Sequence, residues 1–316
     1  MTPSASRPLF VATILVGSFL LFLVQPMVAR MALPRLGGAP NVWNSAMVVY
    51  QALLLAGYAY AHRISLQPFR RQAKIHLVLL VAAAVTLPVT LIDLPQPPPG
   101  WEVLWVPLLL ALTIGPVFFL VSAQAPLMQR WFAIHGRAGE PWALYAASNL
   151  GSFAGLLAYP VIVEPLLPVR GQSLLWSIGY GLLVLLVGVA AWSRWRESKG
   201  LPVGRSADEA GPETSASAER IDRKQIILWL SLSAIPSGLM LSTTTHLTTD
   251  IFAMPLLWVI PLGFYLLSFV VAFADNRALA WAITIFAPVT VLLAGGFAMV
   301  SRNSGTLSLA VASVLL

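Results

Sequence analysis

The chain has 316 residues, of which 58% are hydrophobic and only 10% charged. Soluble domains carry about 25% charged residues, and a mean hydropathy of +0.80 leaves too little polar surface to cover a water-soluble globule. The lack of cysteine excludes disulfides, thiolate catalysis and cysteine-based metal sites. The net charge is +7, but the basic residues lie in short loops between apolar runs, a pattern that argues against nucleic-acid binding.

The first apolar run, Pro8 to Ala29, is longer than the core of a signal peptide and contains Gln25-Pro26, so it reads as an uncleaved membrane span. Further runs of similar length follow at about 42–62, 74–92, 103–127, 142–165, 171–193, 226–246, 253–274 and 281–301. Each is near the ~20 residues a helix needs to cross ~30 Å of hydrocarbon. A β-barrel would instead show alternating segments of about ten residues. The expected fold is therefore all-α, a polytopic transmembrane helical bundle of about ten spans. The tenth begins near Thr306 and reaches only Leu316, too short to cross. It is expected to be a truncated span of a longer chain or a re-entrant segment.

Orientation follows from the basic residues. With the N-terminus inside, 15 of the 19 Lys and Arg residues fall on the cytoplasmic side, and only Arg30, Arg35, Arg170 and Arg302 fall outside. This is the positive-inside pattern, and it predicts a multi-pass membrane protein with its N-terminus in the cytoplasm and the lipid bilayer as its first partner. Residues 194–225 form the one long polar segment, basic at its start and then rich in small and acidic residues. It reads as a flexible cytoplasmic linker between helices 1–6 (residues 1–193) and helices 7–10 (residues 226–316). Six spans, a long inner loop and a second set is a two-halved transporter layout. The outer loop Asp93–Glu102, with its four prolines, should be extended and stiff.

No phosphate-binding loop, dinucleotide fingerprint, zinc-protease motif or nucleophile elbow occurs, and no cofactor is expected. The informative residues are polar ones inside spans, because each is costly in hydrocarbon unless it is paired or faces a cavity. Gln25 precedes Pro26, which frees a carbonyl one turn earlier. This is either a ligand-facing kink or the site of a helix–helix hydrogen bond. Gln124 lies between Pro116 and Pro126. Asn149 sits beside Ala147, Gly151 and Gly155, a stripe of small residues that suits close helix packing. Glu164 ends the fifth span. Thr245 belongs to the polar run before Asp250, which ends the seventh. Glu164 and Asp250, with aromatics at one depth, could hold a cation or an amine; equally, both could be solvated and pair with Arg30 or Arg170. His62, His76 and His135 fall near cytoplasmic span ends and read as interfacial, without metal-ligand spacing.

Four long strings carry a family resemblance: GSFLLFLVQPMVARMALPRLGGAPNVWNSAMVVYQALLLAGYAYAH (17–62), GPVFFLVSAQAPLMQRWFA (115–133), LYAASNLGSFAGLLAYPVIVEPLLP (144–168) and PSGLMLSTTTHLTTDIFAMPLLWVIPLGFYLLSFVVAF (236–273). Together they resemble the membrane part of bacterial fused proteins that combine a major-facilitator-like module with a spermidine-synthase-like domain. The resemblance implies a membrane module that precedes a soluble aminopropyltransferase-type domain, anchors it, and binds or moves a polyamine or other small amine. The catalytic residues of that domain have no counterpart here. The facilitator loop motif is matched loosely, by Gly57, Arg63, Arg70 and Arg71, with Ala61 where an Asp belongs. A stand-alone facilitator-like transporter and a purely structural anchor are the alternatives. The substrate-binding candidates are thus Gln25, Gln124, Asn149, Glu164, Thr245 and Asp250.

Overall fold

The computed structural model describes residues 3–36, 40–95, 97, 100–133, 142–199, 222–246, 259–274 and 276–300. Among them the chain is helical throughout its regular structure, with no strand. Five helical stretches are long and apolar enough to cross a membrane: Arg7–Leu36, Leu104–Ala133, Ala143–Leu166, Val169–Arg196 and Arg223–Ser242. The chain divides into two compact units, Met1–Gly211 and Pro212–Leu316.

The first unit is built around α1 (Pro3–Leu36), which packs against α4 (Glu102–Ser122), α5 (Gln124–Ala133), α6 (Trp142–Ala158) and α8 (Val169–Lys199). At 1.5 Å per residue, the 34 residues of α1 reach about 50 Å, so the helix continues beyond a hydrocarbon layer at one end or both. Apolar side chains do not drive helices together in lipid, so small residues and interhelical hydrogen bonds carry the packing. The α1–α6 contact shows this. A Cβ at Gly151 would strike the backbone of Leu15, and one at Gly155 would strike the backbone of Phe19. The spacing is four residues on both helices, so the two backbones run in register. Ser18 and Ser148 join their hydroxyls across the same contact at 2.9 Å. The small-residue stripe is therefore a packing face. Between α2 (Pro40–Ile64) and α4, Gly57 gives room in the same way to Ser122 and the Phe119 carbonyl. Buried aromatics add longer ties. Trp176 Nε1 donates to the Leu20 carbonyl at 2.9 Å, and the Tyr180 hydroxyl donates to the Leu80 carbonyl at 2.9 Å.

Two expectations are corrected here. The apolar run at about 74–92 is not one helix. α3 spans Phe69–Ala83, a 3-10 turn covers Ala84–Thr86, and the chain is non-helical from Leu87. Pro88 explains the change, because it disfavours helical backbone at the residue before it and cannot donate to the carbonyl one turn earlier. The segment then lies against the bundle with its polar backbone groups met by side chains. Ser173 donates to the Val89 carbonyl at 2.5 Å, and Thr113 accepts from the Ile92 amide at 3.3 Å. Arg35 donates to the Ile92 carbonyl at 3.2 Å, and Trp105 Nε1 to the Pro95 carbonyl at 2.8 Å. Backbone that leaves the helical ladder must have its polar groups met in this way.

The second correction concerns Arg194–Lys199, expected to open the flexible linker. These residues instead continue α8. Arg194 is 4% exposed, with its guanidinium over the rings of Phe10 at 4.8 Å and Phe132 at 5.6 Å. This cation–π packing ties the start of α1 and the end of α5 to the end of α8, and it gives the last turns of α8 a reason to stay helical. The remainder of the expected linker, residues 200–221, lies outside the described residues.

In the second unit, α9 (Arg223–His246) packs on α10 (Val259–Ala272), and α10 on α11 (Ala278–Val300). Ser237 and Tyr265 approach to 3.5 Å between α9 and α10. The expected tenth span lies outside the described residues.

Candidate functional site

The break between α4 and α5 positions the most unusual polar group in the first unit. Pro126 cannot donate to the Ser122 carbonyl, and the helix interrupts at Ala123. Ser122 turns its hydroxyl onto the Phe119 carbonyl at 2.7 Å. Gln124, the first residue of α5, points into the bundle and is 1% exposed. Gly17 on α1 makes room for it, since a Cβ there would sit 3.1 Å from the Gln124 Cγ.

Gln124 meets a histidine. His76 Nε2 and Gln124 Oε1 are 3.1 Å apart, and His76 Nδ1 lies 3.3 Å from the Tyr60 hydroxyl. An amide carbonyl can only accept, so Nε2 carries the hydrogen, and in the neutral ring Nδ1 accepts from Tyr60. The chain Tyr60–His76–Gln124 thus links α2, α3 and α5. Gln72, one turn before His76, accepts from Trp131 Nε1 at 3.0 Å and donates to the Ser65 and Gln67 carbonyls. The Trp131 ring meets the His76 ring edge-on at 6.4 Å. Only Gln124 Nε2 is left over, buried without a hydrogen-bond partner. An unmade bond of this kind costs about 1–3 kcal/mol.

His76 therefore faces the interior of the bundle, not the surrounding medium. It is 0% exposed, and its ring is held on both nitrogens. His62 does lie exposed, and His135 lies outside the described residues. The signal for His76 was present in the sequence. Gln72, His76, Leu80 and Ala83 are all buried on α3, and their spacing of four, four and three places the polar pair on the core stripe.

The other candidates are dispersed. The Gln25 side chain bonds within its own helix. Its amide donates to the Leu21 carbonyl of its own helix at 3.2 Å, and it is the Gln25 backbone carbonyl that accepts from Tyr50 of α2 at 3.2 Å. Asn149 likewise donates to the Tyr145 carbonyl one turn back at 2.9 Å. Glu164 opens the short α7 (Glu164–Leu166) after a π-helical turn at Tyr159–Val163 and pairs with Arg30. With the two side chains 22% and 45% exposed, this is a partly solvated pair of the kind that contributes little to stability. Arg35 and Asp93 form a second pair at 3.2 Å. Asp250 and the side chain of Thr245 lie outside the described residues. Among the described residues, no three His, Asp or Glu side chains gather as a metal site would require.

Compared with known protein families, curated proteins and solved structures, the chain matches none of them.

Proposed function

We propose that the chain is the helical membrane module of a spermidine-synthase-like protein, and that its role is to anchor an aminopropyltransferase-type domain at the cytoplasmic face of the bacterial inner membrane. In this reading the apolar runs form about ten spans, six before the polar segment, and the Lys and Arg excess marks the inner side. One observation carries it. Three of the strings that resemble the fused family are the ones whose unusual residues pack on each other. Gly151 and Gly155 of 144–168 lie on α1, Gln124 of 115–133 lies beside Gly17 of 17–62, and Gly57 of that string lies against Ser122. These three strings thus share one packed bundle, which supports reading them as one module.

Handling of the amine by the bundle is a separate part of the expectation, and Glu164 does not favour it, because Arg30 already neutralises its carboxylate. The test is the whole gene product. Aminopropyl transfer from decarboxylated S-adenosylmethionine to putrescine should sediment with membranes and become soluble when the helices are deleted. A reading frame without a nucleotide-binding domain beyond Leu316, or an enzyme equally soluble with the helices present, contradicts the proposal.

A further inference from the structure

We propose that the adjoining ends of α3 and α8 form a binding site for the phosphate headgroup of an anionic phospholipid. The Arg70 guanidinium lies over the Trp195 ring at 5.6 Å, which brings the start of α3 to the end of α8. One turn along α8, the Arg196 guanidinium lies over the Trp192 ring at 4.7 Å. A guanidinium held over an indole by its charge still has five N–H donors, enough to offer a fork to a bidentate acceptor such as phosphate. Arg71 and Lys74 are exposed on the same first two turns of α3.

Among the described residues no carboxylate pairs with Arg70, Arg71, Lys74 or Arg196. Among the described residues the ion pairs are Arg30–Glu164 and Arg35–Asp93, and both involve the far end of α1. Arg70, Arg71 and Lys74 also stand at a helix N-terminus, where the macrodipole favours negative charge and opposes positive. An anion bound among them reverses the sign of that interaction.

The neighbouring surface identifies the anion as a lipid. Leu185, Val189, Trp192 and Arg196 follow one another along one face of α8 at spacings of four, three and four, and all four are exposed. On α3, exposed Val78 lies one turn beyond Lys74. Each helix therefore presents apolar surface, then, at its basic end, cations, with an interfacial tryptophan on α8. An acyl chain matches the first part and a phosphate the last, whereas a free anion would use only the charges. The inference rests on the reading that this end lies at the headgroup level of the cytoplasmic leaflet.

The experiment uses the full chain in nanodiscs of phosphatidylcholine doped with phosphatidylglycerol, with retained lipid identified by native mass spectrometry. A cation near an anionic surface contributes roughly fivefold in affinity, so Arg70→Gln, Arg71→Gln and Arg196→Gln together should weaken phosphatidylglycerol retention on the order of 100-fold. Arg196→Gln alone, at an exposed position, should weaken it about fivefold and serves if the triple variant misfolds. Arg35→Gln at the other end should leave it unchanged. Equal retention in all variants overturns the site. Inorganic phosphate bound as tightly as phosphatidylglycerol overturns its assignment to a lipid. Orientation is read separately, from an impermeant thiol reagent on Gln67→Cys. Labelling from the periplasmic side would refute the orientation while leaving the lipid result to stand on its own.

Discussion

His76 Nε2 lies 3.1 Å from Gln124 Oε1 in the interior of the first unit, and it is the contact that joins α3 to the break between α4 and α5. Interhelical hydrogen bonds in membrane proteins couple by about 0.6 kcal/mol on average and up to about 1.7. A double-mutant cycle of His76→Ala and Gln124→Ala, read by thermal unfolding in detergent, should return a coupling of roughly 0.5–2 kcal/mol. A coupling near zero would mean that the two groups only lie side by side. Gln124→Leu should cost less than His76→Leu. The first removes the orphan donor and strands one group, His76 Nε2–H, whereas the second strands the Gln124 carbonyl and the Tyr60 hydroxyl and leaves the Gln124 orphan in place.

The α1–α6 register makes a sharper prediction. Gly151→Ala and Gly155→Ala each place a Cβ against backbone that cannot move aside cheaply, so each should lower the melting temperature, with losses of about 1–3 kcal/mol for overpacking. Gly181 on α8 has open space around it. Gly181→Ala should be neutral or should stabilise by up to ~1 kcal/mol through helix propensity. A thermal-shift series on the three variants checks the ordering.

The non-helical segment after Leu87 depends on its side-chain caps. Ser173→Ala and Thr113→Val remove the partners of the Val89 carbonyl and the Ile92 amide. Both variants should raise hydrogen exchange at residues 87–95, measured by mass spectrometry, while exchange in α1 stays as it was. Unchanged exchange would show that the segment is held by packing alone.

Glu164→Gln breaks a partly solvated pair and should cost under ~1 kcal/mol. Spermidine binding to the purified chain should be the same in this variant and the parent, since Arg30 already occupies the carboxylate. Weakened binding would restore the amine site at Glu164.

Much of the architecture was legible in the residues. Uncharged apolar runs gave the helices, and the Ala147, Gly151 and Gly155 spacing gave the packing face of α6. What hydropathy could not give was the end of α3. Leu87–Ile92 is as apolar as the helix before it, and only Pro88 marks the change of backbone. The site was legible in part. Gln124 stood out as a polar residue between prolines, but its partner did not. His76 follows Phe69-Arg70-Arg71 and Lys74, so its neighbours in sequence suggested an interface, while its position on the Gln72–Leu80 stripe placed it in the core. Gln25, Asn149 and Glu164 were singled out for polarity in a span. Each satisfies that polarity locally, through its own helix or a neighbouring arginine, and sequence does not distinguish this from waiting for a ligand.

In the proposed arrangement the first unit spans a membrane with its basic end inside. The cysteine-free chain allows a direct test with single cysteines at Gln67, between α2 and α3, and at Asp93, 92% exposed at the opposite end. With an impermeant thiol reagent, Asp93→Cys should label in right-side-out vesicles and Gln67→Cys only in inside-out vesicles. The reverse pattern would contradict this orientation, and equal labelling of both positions from one side would contradict the span itself.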